Sequence, residues 1–211
     1  MPDWDQIFSE RGRMFTAPHS HIERVVKLIH DNDGSRILDL GCGTGRHVVY
    51  FAKMGFDVYG FDASQKALTM TATWLREENL KADICEHRME HPFPYEDNFF
   101  DAVISIQVIH HNPMKNIRKT INEMERVLKP GGVLFVTFPV LQPGPVSEDD
   151  DWELMEVEEG TYVPQRGWES GIPHHYFTLE EIPIEFGAFD IHDIFLDETN
   201  HRCVIAELRS S

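Results

Sequence analysis

The segment Leu38-Asp39-Leu40-Gly41-Cys42-Gly43-Thr44-Gly45 constrains this chain more than any other. The apolar run Arg36-Ile37-Leu38-Asp39-Leu40 before the glycines has the length and content of a buried strand. The stretch after them, Arg46–Met54, is helical in pattern and stops at Gly55. Glycines at 41, 43 and 45 let the backbone turn tightly and come close to a ligand. A strand that passes through such a turn into a helix predicts an open α/β sheet, whose ligands bind beyond the carboxyl ends of the strands.

The rest of the chain continues the alternation. Ile22, Val25, Val26 and Ile29 recur at helical spacing and predict a helix over about 19–30, closed by Asp33-Gly34. Asp57–Phe61 reads as a second strand, and Ser64 as the N-cap of a helix running to about Glu78. Ala82–Glu86 is a weak third strand and Phe100–Ile106 a strongly apolar fourth. A helix from about Asn116 to Leu128 carries Ile117, Ile121, Met124 and Leu128 on one face. Pro130-Gly131-Gly132 then breaks the chain before a fifth strand, Val133–Phe138. Thr178 caps a short helix from Leu179 to about Phe186, and Ile191–Leu196 and Arg202–Leu208 close the pattern as two strands. Strands and helices in alternation give a parallel sheet with helices on both faces.

This reading makes 1–211 a single domain. An N-terminal arm and helix occupy 1–30 and a ligand-binding core 35–138. An insertion or lid at 139–177, rich in Pro, Gly and acids, precedes the closing elements of 178–211.

Charge and cysteine usage narrow the partners. Lys plus Arg is 19 against 36 Asp plus Glu, a formal net charge of -17 with no basic run. That field repels phosphate backbones and anionic membranes, so neither nucleic acid nor membrane is expected. Without an apolar run near the roughly 18–20 residues of a spanning helix, and without an apolar leader, a cytoplasmic location is expected. Cys42, Cys85 and Cys203 are odd in number and form no CxxC pair, which predicts three reduced thiols.

Two ligand classes use a glycine turn of this kind. A dinucleotide places its pyrophosphate on the helix N-terminus at G-x-G-x-x-G, but here the third glycine position is Arg46. Asp39, at the strand end, would repel a pyrophosphate and attract an ammonium, directly or through water. S-adenosylmethionine carries an ammonium and a sulfonium and no phosphate, so Asp39 favours it; the same side chain can also cap the glycine turn. Asp62, ending the second strand, can accept from both hydroxyls of a ribose, and equally suits a helix N-terminus.

The stretches LDLGCGTGRHVVYFA, VYGFDAS, PFPYEDNFFDAVISIQVIHH and INEMERVLKPGGVLFVTF resemble, in order and spacing, the successive motifs of class I S-adenosylmethionine-dependent methyltransferases. The likeness covers about residues 35–140, and GIPHHYFTLEEI with the aromatic arm loosely resembles the tellurite-resistance-like and small-molecule groups. It implies a Rossmann-like, seven-stranded, mostly parallel sheet in the order 3-2-1-4-5-7-6, the last strand antiparallel. It also implies that Asp39, Gly41, Cys42, Gly43 and Gly45 hold the methionine part, and Asp62 the ribose with Ala63 beside the adenine. Ile106 and Gln107 approach the amine and sulfonium. The family often has an acid after strand three for the adenine amino group. Here that position is His87, followed by Arg88, so either the His87 ring accepts or Arg88 supplies its backbone N–H.

The expected reaction is in-line methyl transfer to a small-molecule acceptor, with protein or RNA acceptors and a non-catalytic cofactor-binding module as alternatives. A base is needed only for a protonated acceptor. His110 and His111 past strand four, and His174 and His175 before the late helix, are the candidates. Neighbours on a strand point to opposite faces, so at most one of each pair faces the site, and His111 and His175 are the expected bases. The same four histidines are poorly spaced for a preformed metal cluster, and no metal is expected. Trp152, Tyr162, Trp168, Tyr176 and Phe177 lie in or beside the insertion, where they either cover an acceptor or form a satellite core.

Overall fold

A computed structural model describes residues 4–141 and 153–210. Strands β1 (Arg36–Leu40), β2 (Asp57–Asp62), β3 (Asp83–Glu86), β4 (Phe100–Ile106) and β5 (Leu128–Pro139) pair in parallel, and β9 (Phe189–Leu196) and β10 (His201–Leu208) complete one sheet. Its order is β3-β2-β1-β4-β5-β10-β9, with β10 antiparallel to both neighbours. This is the expected order with the expected reversed last strand.

Helices α2 (Ile22–Asp31), α3 (Arg46–Lys53) and α4 (Gln65–Glu77) cover one face of the sheet, where Ile29, Val48, Leu68, Ile104 and Phe135 share a core. On the other face α5 (Met114–Val127) and the short α6 (Ile182–Glu185) pack Ile121, Met124 and Phe186 against Val103, Leu134 and Val204. α2 fits its sequence: Ile22, Val25, Val26 and Ile29 are all buried, one stripe of a 3.6-residue period.

Local chemistry sets several boundaries. Ser64 caps α4 by accepting from the Ala67 N–H at 3.0 Å, as predicted. α5 starts two residues earlier than expected, because Pro113 at its N-cap presets the entry to the helix. Pro130-Gly131-Gly132 does not end a strand: β5 runs through it, and residues 129–132 bulge out between the pairings Phe100↔Leu128 and Ala102↔Val133. Thr178 and Glu181 form a reciprocal cap, each side chain accepting from the other's N–H at 3.1 and 2.8 Å. The helix it opens is only Ile182–Glu185, shorter than the pattern suggested.

Two regions outside the large sheet bear on the site. The arm forms a helix, α1 (Trp4–Arg11), which buries Ile7 and Phe8. The described part of the insertion is a small antiparallel sheet, β6 (Leu154–Glu158), β7 (Thr161–Pro164) and β8 (His174–His175), where the sequence suggested only a lid. Of the acidic run Glu148–Asp151 and Trp152, nothing lies within the described residues.

Candidate active site

Beyond the carboxyl ends of β1, β2 and β4 lies a cavity of about 1080 Å³. Its floor is the glycine turn. Gly41 has φ +70°, and a Cβ there would lie 2.3 Å from Val108, so only glycine fits. A Cβ on Gly43 (φ +52°) would meet nothing nearer than the Phe8 ring at 3.7 Å and would stand in the cavity itself. This is a cradle left open for a ligand.

Asp62 ends β2 at the edge of this cradle. Its Oδ2 accepts from the Gly43 N–H and its Oδ1 from the Ser64 N–H, both at 2.8 Å. Burial raises the Asp62 carboxyl while those backbone bonds lower it. The carboxylate, with about four acceptor positions, keeps capacity for a further donor. Ser64 donates in turn to Asp5, which also accepts from the Lys66 N–H at 2.9 Å, so α1 is tied to the start of α4 beside Asp62.

The cavity wall includes Gly41, Gly43, Asp62, Ala63, His87 and Arg88, and farther along Ile106 and Gln107. Asp39, Cys42 and Gly45 were expected there too, but lie behind the wall. The Cys42 side chain turns into the core, against the Cα of Gly60, and its N–H donates to Phe61 O at 3.0 Å. Gly45 is the N-cap of α3 and shapes the turn from outside. All three cysteines are free thiols.

Asp39 is fully enclosed, and its Oδ2 has no hydrogen-bond partner among the described residues. Burial pushes its carboxyl up to about 7, against the pull of Arg46, with Asp62 adding to the rise. Arg46 itself lines the cavity and is 5.1 Å from the Phe15 ring. The sequence had counted Arg46 only as a missing glycine. A cation in the first turn of a helix opposes the helix dipole, and that mismatch was its clue.

His87 is placed as expected after β3. Its N–H donates to Asp62 O at 3.0 Å, and its Nε2 is buried without a partner among the described residues. The Arg88 side chain pairs with Glu90 at 2.7 Å, an ion pair that does not involve its backbone N–H, so both expected groups are still present at the cavity wall. Gln107 adopts φ +62°, a strained conformation for a non-glycine residue, held by its N–H to Thr137 Oγ1 at 2.9 Å.

The far end of the cavity is walled by histidines. The His110, His111 and His174 rings lie 4.0, 4.7 and 5.6 Å apart in their three pairings. His110 and His111 both line the cavity, contrary to the expected alternation. The reason is local: they sit in a turn, with the His111 N–H on Val108 O at 2.9 Å, and not on a strand. Burial first, then neighbouring imidazoles, hold both well below the usual histidine range, so they are neutral at pH 7.

β8 does alternate, and it turns His174 toward the cavity. The expected base His175 faces away, with its Nδ1 2.8 Å from Thr161 Oγ1 and the ring against Phe177. His175 is therefore a packing residue, and the spacing that judged these histidines too scattered to cluster is overruled by the folding of the insertion onto the turn after β4.

The roof comes from both flanking segments. Trp4 and Phe8 of α1 line the cavity, and Trp4 sits 5.1 Å from the His111 ring. Trp168, Glu169 and Tyr176 come from the insertion. Tyr162 and Phe177 pack beneath it, on Tyr176 and Phe138. His19 anchors the arm's end: its Nδ1 accepts from His21 N–H, so its Nε2–H donates to Asp197 at 3.0 Å in the β9–β10 turn.

A glycine cradle at the strand ends of a seven-stranded sheet, with the Asp62 carboxylate at its edge and the enclosed Asp39 behind it, is a ligand site of an open α/β fold. The model of the methyltransferase domain matches residues 38–136. An uncharacterized methyltransferase of Synechocystis sp. is 28% identical over 187 residues, 81% of this chain and 85% of its own. The tRNA (carboxymethyluridine(34)-5-O)-methyltransferase of Arabidopsis thaliana is 38% identical over 199 residues, 86% of this chain and 46% of its own. The chain thus spans most of the first relative and about half of the second. The crystal structure of a Pyrococcus horikoshii protein superposes with a TM-score of 0.75 at 16% identity, covering 97% of this chain and 99% of that one, which is a likeness of fold.

Residues 38–136 are a methyltransferase domain, and solved structures of the same fold include an S-adenosylmethionine-dependent methyltransferase of Methanosarcina mazei, 22% identical with a TM-score of 0.73 over 87% of this chain and 98% of that one. Among the described residues no helix is long and apolar enough to cross a membrane.

Proposed function

We propose that this enzyme methylates a small-molecule acceptor, held at the histidine end of the cavity, on an oxygen, the atom for which the similar ubiquinone biosynthesis O-methyltransferase of Rickettsia typhi, 28% identical over 139 residues, is named. The observation that carries this reading is the cavity: about 1080 Å³ under a roof of α1 and the insertion. Single-ligand pockets run to roughly 300–1,000 Å³, so the space suits a cofactor and a small acceptor together.

In this reading Asp62 and His87 bind the nucleoside, with Ala63 beside the adenine. Gly41 and Gly43 admit the methionine part, and Arg46 takes its carboxylate. Asp39 favours its ammonium from behind the wall, and Ile106 and Gln107 bound the sulfonium. Bound there, S-adenosylmethionine supplies an electrophilic methyl group. The residues contribute alignment and the exclusion of water, which dominate such displacements. The acceptor oxygen forms the new bond to carbon as the sulfur–carbon bond breaks. A hydroxyl acceptor also sheds a proton, which the lone pair of a neutral imidazole takes, His111 foremost. A carboxylate acceptor needs no base.

A second reading has one observation in its favour: the Arabidopsis relative is named for O-methylation of a tRNA carboxymethyluridine, and it is similar across most of this chain. The net charge of -17 weighs against a polyanionic partner. The test is transfer from labelled cofactor to a panel of phenols, carboxylates, thiols, amines and chalcogen oxyanions, with bulk tRNA alongside. Labelling of an oxygen acceptor alone supports the proposal. Labelling of tRNA alone, or of thiols or amines in place of oxygen acceptors, overturns it.

A further inference from the structure

The histidine wall has more order than a proton acceptor needs. The ligand-capable atoms of His110, His111 and His174 all lie within 4.8 Å of one another. These residues come from two segments about sixty positions apart in the chain, the turn after β4 and the edge of β8. His110 Nδ1 is buried, with no hydrogen-bond partner among the described residues, in a side chain 3% exposed. A ring nitrogen left unsatisfied at that depth costs free energy, and in the tautomer that makes it a lone pair a cation can meet it.

His174 carries a second and independent sign. Its Nδ1 lies 2.9 Å from the carbonyl oxygen of Ile172, which can only accept, so Nδ1 holds the hydrogen. Its Nε2 lies 2.8 Å from Oε2 of Glu169, a side chain 7% exposed, so a carboxylate oxygen stands beside this imidazole at the cluster. A ligating histidine whose other nitrogen donates to a backbone carbonyl is the usual outer arrangement of a metal site, since it fixes the tautomer.

We propose that His110, His111 and His174 form a three-imidazole site for a divalent transition-metal ion of the zinc type, with Glu169 beside His174 as a further oxygen ligand or outer partner. Imidazole suits zinc, cobalt, nickel and copper, and three protein ligands with an open position make the catalytic form of such a site. Bond lengths of about 2.0–2.1 Å place tetrahedral ligands about 3.4 Å apart, so the rings close slightly on the ion. The ion would pin the insertion to the core of the domain. Its open position faces the cavity, where an acceptor hydroxyl or carboxyl oxygen would bind as a ligand. Binding of the ion does not rest on the proposed acceptor class; only its role as a Lewis acid does, and with the ion bound that role replaces the one given to the His111 lone pair, because a ligating imidazole has no lone pair left for a proton.

The set formed by His19, Asp197 and Cys203 is closed by its own hydrogen bonds. Asp197 already accepts from the Thr199 and His201 N–H groups at 2.8 and 2.9 Å and from His19, so that cluster is a closed network.

The experiment uses the full chain, treated with chelator and titrated with Co²⁺ alone. Uptake of one equivalent is expected, with the intense visible bands of a four-coordinate ion and paramagnetically shifted imidazole N–H resonances. Zn²⁺ should displace it. His174→Gln and His110→Gln should each weaken uptake by at least about tenfold, the lower end of what losing a supporting group costs. Circular dichroism identifies any variant that fails to fold, and the spectra of the unaltered protein carry the test without the variants. No uptake at micromolar protein and metal overturns the site and leaves a shared proton between His174 and Glu169. Equal uptake by a folded His110→Gln/His111→Gln/His174→Gln variant also overturns it. Methyl transfer that runs at the same rate after chelation refutes the Lewis-acid role alone, whereas failure to label any oxygen acceptor refutes the proposed function and leaves ion binding standing.

Discussion

The guanidinium of Arg11, at the end of α1, lies over the indole of Trp168 in the insertion, 4.8 Å from the ring centroid. Two segments that flank the cofactor-binding core in sequence therefore meet across the mouth of the cavity. The pair is one strut of the roof, and an exposed cation–π contact contributes about 0.5–1 kcal/mol. Trp168→Ala should speed cofactor dissociation about two- to fivefold, the same energy read as a rate, with an unchanged circular dichroism spectrum. Deleting residues 1–18 should abolish methyl transfer. Stopped-flow release and an activity assay check both, and unaltered rates in the two proteins would show that the acceptor binds elsewhere.

Asp62 is expected to be the main anchor of the nucleoside. Asp62→Ala should weaken cofactor binding by about 1.5–3 kcal/mol, the scale of hydrogen bonds to a charged group. Part of that loss comes from freeing the Gly43 and Ser64 N–H groups. Gly43→Val should be worse, since the new side chain occupies the cradle at a φ of +52°. Titration calorimetry with S-adenosylhomocysteine measures both, and NAD should give no heat.

The enclosed Asp39 makes binding depend on pH. Its carboxyl, pushed up to about 7 mainly by burial, is partly protonated at neutrality. An ammonium-bearing ligand favours the ionised form, so affinity should fall by up to about tenfold per pH unit below that value, with proton release on binding. The unliganded fold behaves in the opposite sense. A carboxyl raised from an unfolded value of about 3.9 binds its proton more tightly when folded, so its contribution to stability is lost as pH rises from about 4 to 7. Calorimetry in buffers of different ionisation heat reads the proton, and Asp39→Asn should remove it. A pH-independent affinity with no proton released would sink this role.

His111 and His175 should separate cleanly. His175 is buried away from the cavity and bonded to Thr161, so His175→Ala should cost about 1–3 kcal/mol of stability, the penalty for stranding a buried polar group. Denaturant unfolding measures it, and cofactor affinity should not change. His111→Ala should leave stability nearly intact and lower turnover on hydroxyl acceptors far more than on carboxylates. The reverse pattern would return His175 to the chemistry.

The sequence by itself determined the floor of the site and favoured the cofactor class, while the sheet order came from the resemblance of its motifs to a known family. The floor and the preference follow from local rules: a strand ending in Asp39, a glycine that alone fits the turn at 41 and another at a positive φ at 43, an acid at the end of the next strand. Each is a property of a few consecutive residues, and the backbone they dictate is the same wherever the rest of the chain goes. The loss of Cys42 to the core and the entry of Arg46 into the wall were not legible, because which face of a turn meets solvent depends on what packs over it. The histidines show the limit best. Alternation predicted the split of His174 from His175, since β8 is a strand, and failed for His110 and His111, since they lie in a turn. That three of the four converge was decided only by the tertiary structure, because the insertion closes a long loop to set His174 beside the turn after β4, and no spacing rule encodes where such a loop lands.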